Sequence, residues 1–214
     1  MKSILEYGEI PLEELNTYNI VNKTNELMND LISNQQDWCL DTVLDIIYQM
    51  LQFTFKKMQQ SKNSSLTSST ITKDGIIDTA AISNLLMLTE GLVDNFEHCM
   101  QILSSSDETL VEKSIQAVFV MLQLFGAQRV TEQRQVYFVE GHIRHLLDAL
   151  KLNKVIVQKR VLKCILFALD QEGHPLMLTE EQKGSISASV QPLITSSDKS
   201  VSTTANKIIM LLIN

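Results

Sequence analysis

Glycine and proline are scarce, with seven Gly and three Pro among 214 residues. Turn-dense β folds, collagen-like repeats and mucin-like chains all need far more of both. Basic charge is short as well: 18 Lys and Arg stand against 25 Asp and Glu, a net charge of −7. A protein that neutralises phosphates along a nucleic acid shows the opposite balance or a dominant basic face. The three cysteines, Cys39, Cys99 and Cys164, are odd in number and form no C-x-x-C pair. A disulfide framework is therefore not expected, and a reducing compartment suits the chain. Long apolar runs are missing too. The stretch Ile208 to Ile213 falls far short of the ~20 residues a membrane span requires. Glu6 interrupts the place where a signal peptide would carry its apolar segment. The expectation is a soluble cytoplasmic or nuclear protein without membrane contact.

What the chain has in abundance is apolar residues at the 3.6-residue period of amphipathic helices. This pattern predicts helices over about 12–32, 37–58, 76–124 with a turn near Ser104, 139–151, 155–170, 179–194 and 200 to the end. Pro11 followed by Glu13 and Glu14 reads as a helix start. Residues 59–75 are polar and rich in Ser and Thr, and are read as a flexible insert. The fold class expected is all-α.

The helices pair into four units, about 12–58, 76–124, 139–170 and 179–214, within a single domain spanning 1–214. The first helix of each pair ends on an apolar residue: Ile32, Leu103, Leu150 or Ile194. A short polar turn follows. The second helix then repeats a trio spaced by four: Val43, Ile47 and Leu51; Ser114, Val118 and Leu122; Val161, Ile165 and Leu169; Ala205, Ile209 and Ile213. Only Ser114 is polar. Spacing by four puts each trio on one helix face and predicts a continuous apolar seam. The units start 71, 47 and 44 residues apart. Without roughly 20–25 residues of insert, the first interval joins the others near the armadillo and HEAT period.

The third unit carries a family resemblance. Val139-Glu140-Gly141-His142-Ile143-Arg144-His145-Leu146-Leu147-Asp148-Ala149-Leu150, a polar turn, and Val161-Leu162-Lys163-Cys164-Ile165-Leu166-Phe167-Ala168-Leu169 together resemble an armadillo repeat. The resemblance implies a right-handed α-solenoid of about four units and a groove lined by the second helices. It implies no particular function. Importin-type repeats place an Asn on successive groove helices; here only Asn206 stands as a candidate, which counts against a nuclear-import role. The order of Asp37-Trp38, Ala117-Val118-Phe119, Thr131-Glu132-Gln133 and Gln191-Pro192-Leu193 is also similar to the C-terminal half of serum amyloid A-like proteins.

Reactive constellations are not apparent. The chain has no G-x-S-x-G and no phosphate-cradling Gly-rich loop. His142 and His145 share a helix face but lack the further ligands zinc needs. His98 and Cys99 are sequence neighbours and point about 100° apart. No catalytic residue, metal or cofactor is expected. Ser104 and Ser105 precede Asp107 and Glu108 at the spacing of acid-directed phosphorylation, a match short enough to arise by chance.

Charge is segregated along the chain. Residues 1–60 carry nine acids against four Lys, whereas 141–170 carry six Lys or Arg against two Asp. A second stripe on the paired helices contains Asp41, Asp45 and Gln49, then Glu112, Gln116 and Val120, then Lys159, Lys163 and Phe167, then Thr203, Lys207 and Leu211; of these, Asp45, Glu112, Gln116, Lys159, Lys163, Phe167, Lys207 and Leu211 are singled out as partner-binding. Stacked, these would form a concave strip grading from acidic to basic and apolar. The expected function is a non-catalytic adapter or scaffold binding an acidic or partly apolar protein segment there. The alternative is a regulator of a chaperone ATPase or small GTPase that promotes nucleotide exchange. The apolar C-terminal helix is expected to support self-association.

Overall fold

The computed structural model describes residues 20–34, 37–67, 95–128, 140–169 and 178–213. Among these residues every regular element is helical and no strand occurs. Contacts divide the chain into two compact units, Met1–Phe96 and Glu97–Asn214. Each unit is treated by itself.

In the first unit, α1 (Ile20–Ser33) packs on α2 (Asp37–Thr67). Thr24, Met28 and Leu31 of α1 are buried at helical spacing, facing a core with Leu40, Val43, Leu44, Ile47, Met50 and Leu51 of α2. The first trio of the expected seam is therefore interior. At the C-terminus of α1, the backbone and side-chain amides of Asn34 both donate to the Asp30 carbonyl, at 3.0 and 2.8 Å. Thr54, buried in α2, returns its hydroxyl proton to the Met50 carbonyl at 2.9 Å, so this polar group costs little to bury. Helix α2 runs to Thr67, past the expected end at Met58 and into the Ser/Thr-rich stretch. A helix already started extends at about one hydrogen bond per residue, and this carries it through residues of indifferent propensity. Residues 68–75, the rest of the expected insert, lie outside the described residues.

The second unit holds the remaining elements. These are α3 (Phe96–Ile102), whose first residue is the boundary residue, α4 (Glu108–Gln128), α5 (Glu140–Leu150), α6 (Val155–Leu169), α7 (Glu180–Val190), a 3-10 turn (Gln191–Thr195) and α8 (Lys199–Ile213). Helix α6 is central: it packs on α4, α5 and α8. Helix α7 packs on α5 and α8. Val118, Met121, Val161, Leu162, Ile165, Ile186, Val201 and Ile208 are among the buried side chains.

Pro192 explains the end of α7. Without an N–H it cannot extend the α ladder, and the chain tightens into the 3-10 turn instead of continuing to residue 194. The start of α7 is a capping box: Thr179 accepts from the Gln182 amide at 3.2 Å, and the Gln182 side chain accepts from the Thr179 amide at 2.9 Å.

The turns before α4 and α8 share a Ser-Ser-Asp sequence and one geometry. Ser105 Oγ accepts from the Asp107 amide at 3.1 Å, and Asp107 Oδ1 accepts from Thr109 and Leu110 at 2.8 and 3.3 Å. Ser196 and Asp198 repeat the arrangement before α8, with Ser200 and Val201 as donors at 3.0 and 3.2 Å. Each Asp satisfies helix N–H groups that have no intrahelical partner.

Ser114, the polar member of the seam, is fully buried and donates its hydroxyl to the Cys99 carbonyl. Leu103, Ser104 and Ser105 donate to the carbonyls of Met100, Gln101 and Ile102 at 3.1, 3.2 and 2.9 Å. All four C-terminal carbonyls of short α3 are thereby satisfied.

The seam narrows toward α8. Ser114, Val118, Leu122, Val161, Ile165 and Ala205 are buried. Leu169 and Ile209 are half-buried, and Ile213 is 79% exposed. Steps of four residues advance 400°, so a strict trio drifts about 40° per step off its face. On α4, buried over a wide arc, the drift is harmless. On α8 the buried stripe is Val201, Ala205 and Ile208, which follows the true helical period.

Candidate interaction surface

Helices α4, α6 and α8 are successive neighbours, and they carry seven of the eight residues singled out for the strip. Glu112 and Gln116 on α4 are half-buried. On α6, Lys163 is exposed, while Lys159 and Phe167 are half-buried. On α8, Lys207 is exposed and Leu211 half-buried. Asp45 lies half-buried on α2 of the first unit, so the acidic beginning of the expected gradient belongs to a separate body.

Lys159 already has an acid. Its ammonium lies 2.8 Å from Asp198 Oδ2. Lys159 first, with the Val201 and Ser200 amides assisting, holds the Asp198 carboxyl below its ordinary value. The same carboxylate thus caps α8 and ties it to α6. Lys154, just before α6, bridges to Glu108 at 2.8 Å, and its pKa rises through that bond with help from Glu112 and Asp107. One pair thus joins the turn before α6 to the start of α4, and the other joins α6 to the turn before α8, both at least partly open to solvent. Each such pair contributes little in high dielectric and fixes relative placement more than stability.

Lys163 places its ammonium 5.7 Å from the centre of the Phe119 ring on α4. Phe119 was not among the residues the stripe selected. The stripe put Val120 at the surface, yet Val120 is buried and Phe119 half-buried. A cation over an aromatic face is attracted by the ring quadrupole. Here it brings adjacent helices together on the exposed side. The missed signal was the Phe itself: a large aromatic one residue outside a stripe set by spacing of four, on a helix whose buried arc had been drawn too narrow.

A concavity lies between α5 and α7. It encloses about 610 Å³ and is lined by Ile143, Arg144, Leu147, Asp148, Lys151, Glu181, Gln182, Ser185 and Ser189. Beside it, Lys151 reaches Asp148 at 2.6 Å, Ser104 donates to Asp148 at 3.1 Å, and Ser104 Oγ lies 2.7 Å from His145 Nδ1. The Lys151 hydrogen bond lowers the Asp148 pKa most. Burial lowers that of His145, with His142 and Arg144 acting in the same sense.

Burial also makes the interior thiols inert. The Cys99 thiol is pushed up to about 12, and Cys164 is raised for the same reason. Among the described residues, no three His, Cys, Asp or Glu side chains converge as a metal site, and no helix is long and apolar enough to cross a membrane. No protein-family model, no curated protein and no solved structure matches the chain.

Proposed function

We propose that the chain is a protein-interaction adapter built as a short right-handed armadillo- or HEAT-like superhelix, and that it binds an acidic, partly apolar protein segment across α4, α6 and α8. The observation that carries this reading is the Lys163–Phe119 pair, which sets an exposed cation over a half-buried aromatic ring on adjacent helices. The side-by-side order of α4, α6 and α8 supports the superhelical arrangement, as does the packing of α7 on α5. Phe167 and Lys207 extend the same chemistry along the strip. Complementary charge would speed encounter and set orientation, while the aromatic would supply most of the affinity. Lys159, committed to Asp198, acts as a support of the strip.

The test uses a panel of synthetic peptides combining Asp or Glu with Phe, Tyr or Leu, read by fluorescence anisotropy at two salt concentrations. A binder should lose about tenfold or more in affinity with Lys163→Glu or Phe119→Ala. Affinity unchanged by both substitutions overturns this surface.

Self-association through α8 is proposed as a second, weaker contact. It is supported by the 67% and 79% exposure of Met210 and Ile213, beside half-buried Leu211 and Leu212. Sedimentation should show a concentration-dependent oligomer that Met210→Glu with Ile213→Glu dissolves. A monomer at all concentrations refutes it.

A further inference from the structure

Ser104 sits where the turn between α3 and α4 meets α5. The residue is exposed, and its hydroxyl donates to Asp148 Oδ2 at 3.1 Å. The same oxygen lies 2.7 Å from His145 Nδ1. A hydroxyl has one proton. With that proton given to the carboxylate, the imidazole must supply the other, which assigns the Nδ1–H form to His145 from the hydrogen-bond network. Lys151 holds the second Asp148 oxygen at 2.6 Å. Arg144 is close enough for its charge to act on both His145 and Asp148. The Ser104 oxygen therefore sits between His145 and Asp148, with Lys151 on the other oxygen of that carboxylate.

This cluster does not form a hydrolytic triad. In a triad the carboxylate orients the imidazole, whereas here it accepts from the serine. The Ser104 and Ser105 amides, which could have stabilised an oxyanion, donate to Gln101 and Ile102.

We propose that Ser104 is a phosphorylation site, modified by an acid-directed serine/threonine kinase using ATP, and that the resulting phosphate is received by His145 with Lys151 and Arg144 adding positive charge. In the step, Ser104 Oγ attacks the γ-phosphorus, the bond from that phosphorus to the ADP oxygen breaks, and the hydroxyl proton passes to the kinase's base. Two features select Ser104 over its neighbours. Asp107 and Glu108 follow it by three and four residues, the spacing a basic substrate groove reads; both are exposed, and the groove would compete with the α4 amides for Asp107 and with Lys154 for Glu108. Ser105 is half-buried with its oxygen held by the Asp107 amide, and Ser106 has Thr109, not an acid, three residues on.

The modified residue has no hydroxyl proton left for Asp148. The two anions repel, Asp148 leaves, and Lys151 exchanges its carboxylate for the phosphate. The tie between the α3–α4 turn and α5 passes from a carboxylate to cations. Asp148 and Lys151 both line the cleft between α5 and α7, so the charge at its mouth changes as well.

The test incubates the full chain with ATP and an acid-directed serine/threonine kinase, and maps the product by mass spectrometry. One phosphate on Ser104, absent from Ser104→Ala, is the expected result. Asp107→Asn keeps a capping side chain but removes the acid, and should slow labelling several-fold. On phosphorylation the His145 imidazole, followed by NMR, should titrate higher by about 1 pH unit or more. Labelling of Ser105 or Ser106 in preference, labelling only of the denatured chain, or a His145 titration that does not move overturns the proposal.

Discussion

Lys159 Nζ and Asp198 Oδ2 lie 2.8 Å apart, joining α6 to the residue that caps α8. Two roles converge on one carboxylate, and they separate by mutation. Lys159→Ala removes only the ion pair, while Asp198→Ala also leaves the Ser200 and Val201 amides without their acceptor. Asp198→Ala should lower the thermal midpoint clearly more than Lys159→Ala, with Asp198→Asn in between because Asn still caps. Equal effects in a calorimetric comparison would show that the cap contributes nothing.

Ser114→Ala should destabilise the second unit by about 1 kcal/mol in urea titrations. The loss comes from the Cys99 carbonyl, which is left without the hydroxyl that closes the end of α3. Ser114→Thr keeps the hydroxyl and adds a methyl group to a fully buried site, so it tests packing and hydrogen bonding separately.

Along α8, Ile208→Ala should cost about 2–5 kcal/mol, because the side chain is fully buried. Ile213→Ala should change stability by less than about 0.5 kcal/mol, because that side chain is mostly in solvent. The reverse order would mean that the seam follows strict spacing by four rather than the helical period.

Acid should destabilise the second unit in two stages. His145 and His98 have lowered pKa values, burial being the main cause in each. Their folded forms favour the neutral ring, so this contribution is complete above the ordinary His value near 6.5 and is lost as pH falls through the lower folded value. Asp148 and Asp198 are lowered by their Lys hydrogen bonds, so theirs is present above the ordinary carboxylate value of 3.8 and is lost below it. Thermal midpoints measured from pH 8 to pH 3 should decline first as pH falls below 6.5 and again below 3.8. His145→Gln should flatten the first decline.

The helices themselves were legible in the chain. Apolar periodicity placed α5 and α6 within a residue of their observed ends, and the turn near Ser104 fell between α3 and α4. These features depend on residues a few positions apart, where propensity and amphipathicity act. The Ser-Ser-Asp caps were equally local and were passed over because they lie between helices.

The interaction surface was only half legible. Spacing selected Lys163 and Phe167, but which side of α4 reaches solvent depends on how much of its circumference its neighbours cover. That exchanged Val120 for Phe119. By itself the sequence determined the helical class, because the α-helix period is a property of the backbone. Only tertiary structure decided that Ser114 closes α3, that Asp198 takes Lys159 and that Ser104 meets His145. Those partners are brought within hydrogen-bond reach by packing between helices, and no local pattern encodes which polar groups such packing will bring together.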